Sequence, residues 1–106
     1  MNMMNLTTAQ KKQLTSFVGV FYDKEKDKWI ARCYFKKRDF LLGAYQSERK
    51  AAICRELAII TLNSTSIRNF PALTKKDIQT KLSYESWAKI AERILSIQKS
   101  KKRSQN

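Results

Sequence analysis

Three runs rich in β-branched and aromatic residues stand so close together in the chain that only one arrangement of strands suits them. Phe17-Val18-Gly19-Val20-Phe21-Tyr22, Trp29-Ile30-Ala31-Arg32-Cys33-Tyr34-Phe35 and Asp39-Phe40-Leu41-Leu42-Gly43-Ala44-Tyr45 each read as a strand. The links between them, residues 23–28 and 36–38, are charged turns. Parallel neighbours need a dozen or more connecting residues, so the three strands form an antiparallel meander. Period-2 alternation along the second run sets Arg32 and Tyr34 on one face and Ala31 and Cys33 on the other.

The period then changes. Ser47 offers an N-cap, and residues 48–62 carry helical spacing, with Ala51, Cys54, Ala58 and Thr61 along one face and Ile53 and Leu57 beside it. Small side chains at Ala51, Ala52 and Ala58 let this helix lie close on the sheet. Residues 63–70 form a loop ended by Pro71. Thr74 with Asp77 has the form of a capping box for a short helix ending near Leu82. Ser83 caps a longer helix from Tyr84 to about Ser100, on which Trp87, Ile90, Ile94 and Ile97 make a narrow apolar seam. The expected fold is therefore α+β: a three-stranded antiparallel sheet packed on one α-helix, followed by a C-terminal helical extension. Residues 1–15 form a flexible or partly helical arm, in which Thr7 or Thr8 caps a turn or two through Leu14. The domain proper covers 16–71 and the basic extension 72–106.

Charge decides the class of partner. Twenty-two Lys and Arg face nine Asp and Glu, a net +13. That excess points to nucleic acid, an anionic membrane or an acidic protein, and it exceeds what solubility requires. Residues 16–71 hold 11 basic and 6 acidic side chains, and residues 72–106 hold 9 and 3, so the extension is at least as electropositive as the domain. No apolar run approaches the roughly 20 residues that span a bilayer, so no membrane role is expected. The first ten residues lack the basic and apolar regions of a secretion signal, and secretion is not expected. Histidine is absent and the cysteines number two, Cys33 and Cys54, so one chain cannot build a four-ligand zinc site. Both thiols are expected in the core, reduced. With no histidine base and no glycine-rich phosphate loop, neither a cofactor nor enzymatic activity is expected.

Five short motifs, in order, resemble those of the plant ethylene-response-factor (Apetala-two) DNA-binding domain. Phe17-Val18-Gly19-Val20 looks like the aromatic-x-Gly-Val that opens that domain, and Trp29-Ile30-Ala31 like the start of its second strand. Leu42-Gly43-Ala44-Tyr45-Gln46-Ser47 is similar to its link into the helix. Ala51-Ala52-Ile53-Cys54-Arg55-Glu56-Leu57-Ala58 follows its helix, and Asn69-Phe70-Pro71 its closing Asn-Phe-Pro. The resemblance covers residues 16–71. It implies a nuclear, transcription-factor-like protein that sets the exposed face of its sheet in the major groove of double-stranded DNA, a groove about 12 Å wide.

Carried over by position, the family's base- and phosphate-reaching residues fall on Val18, Phe21, a site near Asp23, Arg32, Tyr34, Asp39 and Leu41. Of these, Arg32 and Tyr34 suit a duplex. Positive charge gathers instead in the turns, at Lys24, Lys26 and Lys28 and at Lys36, Lys37 and Arg38, where lysines contact phosphates without reading sequence. These eight residues are the expected DNA contacts. Val18, Phe21 and Leu41 give the same face an apolar character that also suits a protein partner. On that second reading the chain is an accessory subunit of a DNA-processing or DNA-modifying complex. It docks or self-associates through Val18, Phe21 and Leu41, and the seam of Trp87, Ile90, Ile94 and Ile97 either joins that interface or packs onto the domain's own core. A third reading is an arm-type DNA-binding module like those of mobile-element integrases, which use a similar sheet.

Overall fold

A computed structural model describes residues 16–103, with side chains as far as Lys99. The expected arm over 1–15 lies outside the described residues. Strands β1 (Val20–Asp23), β2 (Lys28–Phe35) and β3 (Arg38–Tyr45) form one antiparallel sheet in the order β1-β2-β3, followed by helices α1 (Glu48–Leu62), α2 (Lys75–Thr80) and α3 (Tyr84–Arg103). The fold is α+β, as the spacing of the strand runs requires.

The first strand starts three residues later than its composition suggests. Gly19 has φ 74°, which takes the backbone out of the β region, and a Cβ there would lie 2.0 Å from Arg55 Nε. The chain therefore bends over the buried Arg55 before it joins the ladder, as a residue without a side chain allows. In β3, Ala31 pairs with Gly43 but Arg32 pairs with Leu41, so Leu42 is an extra residue. Phe40 and Leu42 are buried and Leu41 points away from α1 by ordinary alternation, and the bulge then shifts the phase so that Ala44 joins Ile30 on Leu41's face.

The link from β2 to β3 is tighter than expected. Phe35 pairs with Arg38, leaving Lys36 and Lys37 as a two-residue turn with φ 53° and 67°. Two left-handed central residues define a type I′ turn, whose twist matches that of the strands but which favours Asn-Gly.

Helix α1 is capped at both ends. Ser47 Oγ accepts the Lys50 N–H at 3.0 Å, and Asn63 closes the helix in the left-handed conformation. Instead of one buried face, every residue from Ala51 to Ile59 is buried. The reason is a third layer: the sheet covers one side of α1, and α2 and α3 cover the other. A helix buried all round is an interior helix, and this one carries two charges inside with it, Arg55 and Glu56. The capping box of Thr74 and Asp77 starts α2 as expected. One core cluster joins Val20, Ala31, Cys33 and Leu42 of the sheet, Leu57 and Ile59 of α1, Ile78 of α2, and Ile90, Ile94 and Ile97 of α3.

That cluster corrects the reading of the α3 seam as a partner surface. Ile90, Ile94 and Ile97 are buried in the chain's own core and Trp87 packs half-buried against it, because α1 would otherwise expose its far side to water. The same helix guards the outer strand, where Arg93 Nε donates to the Leu41 carbonyl at 2.7 Å. Cys33 and Cys54 are buried free thiols.

Candidate nucleic-acid interface

With α1 behind the sheet, no helix among the described residues covers the other face. Its residues follow from the register: Phe21 pairs with Ile30, Ile30 with Ala44, Arg32 with Leu41 and Tyr34 with Asp39. Paired residues share a face, so these side chains stand together. Ile30 is buried beneath its neighbours as the floor of this face and stands apart from the main core. Arg32 and Tyr34 point outward, and Ala31 and Cys33 point to α1.

The face is unusually apolar. Val18 is 51% exposed, Phe21 40%, Tyr34 44%, Leu41 56% and Ile67 71%. Val18, Arg32, Tyr34 and Ile67 line one hollow together, which adds Ile67 to the surface that alternation along the strands defined. The sequence carried one signal for it, a lone aliphatic residue in a loop that is otherwise polar as far as Phe70. The Arg32 guanidinium carbon lies 5.8 Å from the centre of the Phe21 ring, a cation–π distance.

Arg32 is fixed from below. Its N–H donates to the Gly19 carbonyl at 2.9 Å, and its own carbonyl accepts from Arg55 Nε at 2.9 Å. A second Arg55 nitrogen donates to the Ile67 carbonyl at 2.7 Å. Burial lowers the Arg55 guanidinium below its ordinary value, and the charge of Glu56 opposes this. Glu56, wholly buried, accepts from the Asn69 and Phe70 amides at 2.9 and 2.8 Å and from Arg68 Nε at 3.0 Å. Asn69 in turn accepts the Val18 N–H at 2.8 Å and donates to the Val18 carbonyl at 2.9 Å. Two charged residues of α1 thus anchor the loop and the entering segment that frame the face. Beyond the end of β1, Ser66 Oγ accepts the Tyr34 N–H at 2.9 Å and Ser64 Oγ donates to the Tyr34 carbonyl, so the loop supplies the rung that a longer β1 would have made.

The two turns differ in charge. Lys24, Lys26 and Lys28 share theirs with Asp23, Glu25 and Asp27, and Asp23 Oδ1 accepts from the Glu25 and Lys26 amides at 3.0 and 3.2 Å. Lys36, Lys37 and Arg38 have Asp39 alone beside them in sequence. Lys36 Nζ lies 5.8 Å from the Phe35 ring and Arg38 Cζ 5.0 Å from the Phe40 ring, so both cations lean to the helix side of the hairpin tip and not over the open face. The eight residues expected to contact DNA therefore divide into Arg32 and Tyr34 on the face, an uncompensated cationic tip, and a charge-balanced turn at the opposite end of β2.

Burial raises both thiols, Cys33 and Cys54, above their ordinary value, which leaves them protonated at neutral pH. Tyr45 is also raised, by burial and by Cys54 beside it. Among the described residues no His, Cys, Asp and Glu cluster suits a metal ion, and no helix is long and apolar enough to cross a membrane. No known protein family, no curated protein and no solved structure matches this chain.

Proposed function

We propose that this chain is a DNA-binding module that lays its open sheet face in the major groove of duplex DNA, as the resemblance to ethylene-response-factor domains implies. The observation that carries the reading is Arg32, held at the middle of a sheet face that no described helix covers, with a cationic hairpin tip at the end of its own strand. The eight residues of β2 set its ends roughly 25 Å apart at about 3.4 Å each. That length exceeds the groove width of about 12 Å, so the tip meets a sugar–phosphate wall while Arg32 and Tyr34 lie over base edges. Lys36, Lys37 and Arg38 then position the module and Arg32 reads bases, with guanine O6 and N7 as its preferred acceptors.

The test is a salt titration of duplex affinity. Log affinity is expected to fall linearly with log salt, with a slope of about −0.9 for each phosphate neutralised. Replacing Lys36, Lys37 and Arg38 together by alanine flattens the slope by about one unit for each phosphate no longer neutralised. A salt-independent affinity, or an unchanged slope in the triple variant, overturns the reading. The exposed apolar group of Val18, Phe21, Leu41 and Ile67 supports a second reading, an accessory subunit docked on another protein. Phe21→Ser and Leu41→Ser proteins that fold, keep duplex binding and lose their native partners would favour that second reading.

A further inference from the structure

The open face carries more apolar surface than base reading by hydrogen bonds requires, and that surplus has a specific counterpart in DNA. Resting on the duplex-binding reading above, we infer that this face recognises the C5-methyl groups of pyrimidines in the major groove. The polar side chains the face offers are Arg32, Asp39 and the Tyr34 phenol, with the Asp23–Lys28 pair at its far end, while Val18, Phe21, Leu41 and Ile67 offer carbon. Base edges in the major groove present donors and acceptors, together with one apolar group, the methyl at pyrimidine C5. A donor or acceptor pressed against Leu41 or Phe21 loses its water and gains no partner, which is costly. A methyl group pressed there loses nothing and buries apolar area.

The shape of the face agrees. One hollow of about 420 Å³ is lined by Val18, Phe21 and Arg32 among others. A second, of about 300 Å³, is lined by Ile30, Leu41 and Ala44 with Lys26 and Arg93 at its margin. Arg32 lines the first, and its partner in the ladder, Leu41, lines the second. The cation therefore lines one depression and its ladder partner lines the other, an arrangement that sets carbon from Val18, Phe21 and Leu41 beside a guanine contact.

Thymine and 5-methylcytosine both present this methyl, and the test separates them. Four pools of random-sequence duplexes of equal length are prepared, pairing either thymine or uracil with either cytosine or 5-methylcytosine. All four carry the same phosphates, so the charge contribution is common. The wild-type chain is expected to bind the thymine/cytosine pool more tightly than the uracil/cytosine pool, by about fourfold for each methyl that the face covers, the effect of one buried methyl group. Tighter binding of the uracil/5-methylcytosine pool than of the uracil/cytosine pool, without a thymine effect, assigns the methyl to modified cytosine. Leu41→Asn and Val18→Ser lie on the surface, retain the fold by circular dichroism, and should lose the methyl effect while keeping the salt slope. Equal binding of all four pools overturns the inference and leaves duplex binding standing. Methyl discrimination that survives in both variants overturns the assignment to this face. Failure to bind any pool at low salt defeats the duplex reading and the inference with it.

Discussion

Glu56→Ala is expected to come close to unfolding this protein, although the residue touches neither the open face nor its solvent. The Glu56 carboxylate is wholly buried and accepts from two backbone amides and from Arg68, with Arg55 3.8 Å away. Alanine leaves the buried Arg55 without its counter-charge, Arg68 without one acceptor, and the Asn69 and Phe70 N–H groups unpaired. Removing one partner of a buried ion pair costs about 3–5 kcal/mol. Small domains have about 5–15 kcal/mol in total. With a urea dependence of about 2 kcal/mol per molar, the midpoint should fall by about 1.5–2.5 M. Glu56→Gln keeps the shape but offers one acceptor oxygen in place of two, and should lose about half as much. The assay is urea unfolding followed by circular dichroism, with near-ultraviolet signals to detect a folded but loosened state. A loss of under about 0.5 kcal/mol in Glu56→Ala, the range of ordinary surface substitutions, would refute the view that this pair anchors the loop.

Gly19→Ala must both adopt a left-handed backbone and move the buried Arg55, so we expect a loss of about 2–4 kcal/mol by the same urea assay. Exchanging Lys36-Lys37 for Asn-Gly should raise the thermal midpoint, because two lysines leave the left-handed region at roughly 1 kcal/mol each, while duplex affinity at low salt falls. Stability should also decline on the alkaline side. Cys33, Cys54 and Tyr45 are raised in the folded state, so their contribution is complete below the unfolded thiol value of about 8.5 and fades as pH rises above it. Urea midpoints that stay level between pH 7 and pH 10 would contradict this.

The parts of the fold legible in the sequence are those governed by short-range rules. Connections too short for a crossover imposed the meander, Ser47 and the Thr74–Asp77 box marked helix starts, and alternation along β2 turned Arg32 and Tyr34 outward. What was hidden depends on distant partners. The burial of Arg55 and Glu56 carries no local signal, because nothing nearby in the chain says that a loop 12 or more residues away will close over them. The spacing in α1 revealed one apolar face, yet the helix has neighbours on both sides, and periodicity cannot report a second layer. The seam of α3 was visible as a seam, but whether it met a partner or this chain's own core was decided by the far side of α1. Lys36 and Lys37 were plainly a turn. Their left-handed backbone was not legible, since lysine is a poor choice for that conformation.

The tie between Val18 and Asn69 gives the open face a firm centre and a yielding margin. It closes a loop across 51 residues with a side-chain amide. Loop closure on that scale costs about 3.5 kcal/mol, whereas two hydrogen bonds contribute about 2 kcal/mol net. The tie therefore holds because the sheet and α1 have already brought its ends together, and it is among the first to part when the molecule breathes. Arg32 straddles that divide: its N–H donates to the Gly19 carbonyl beside the tie, while its carbonyl accepts from the buried Arg55, which holds β2 in place if the entering segment lifts. Val18 and its neighbours, tied to the loop by one side-chain amide, are thus the margin of the face where loosening should be detected first, by faster exchange of the Val18 amide proton than of those within β2.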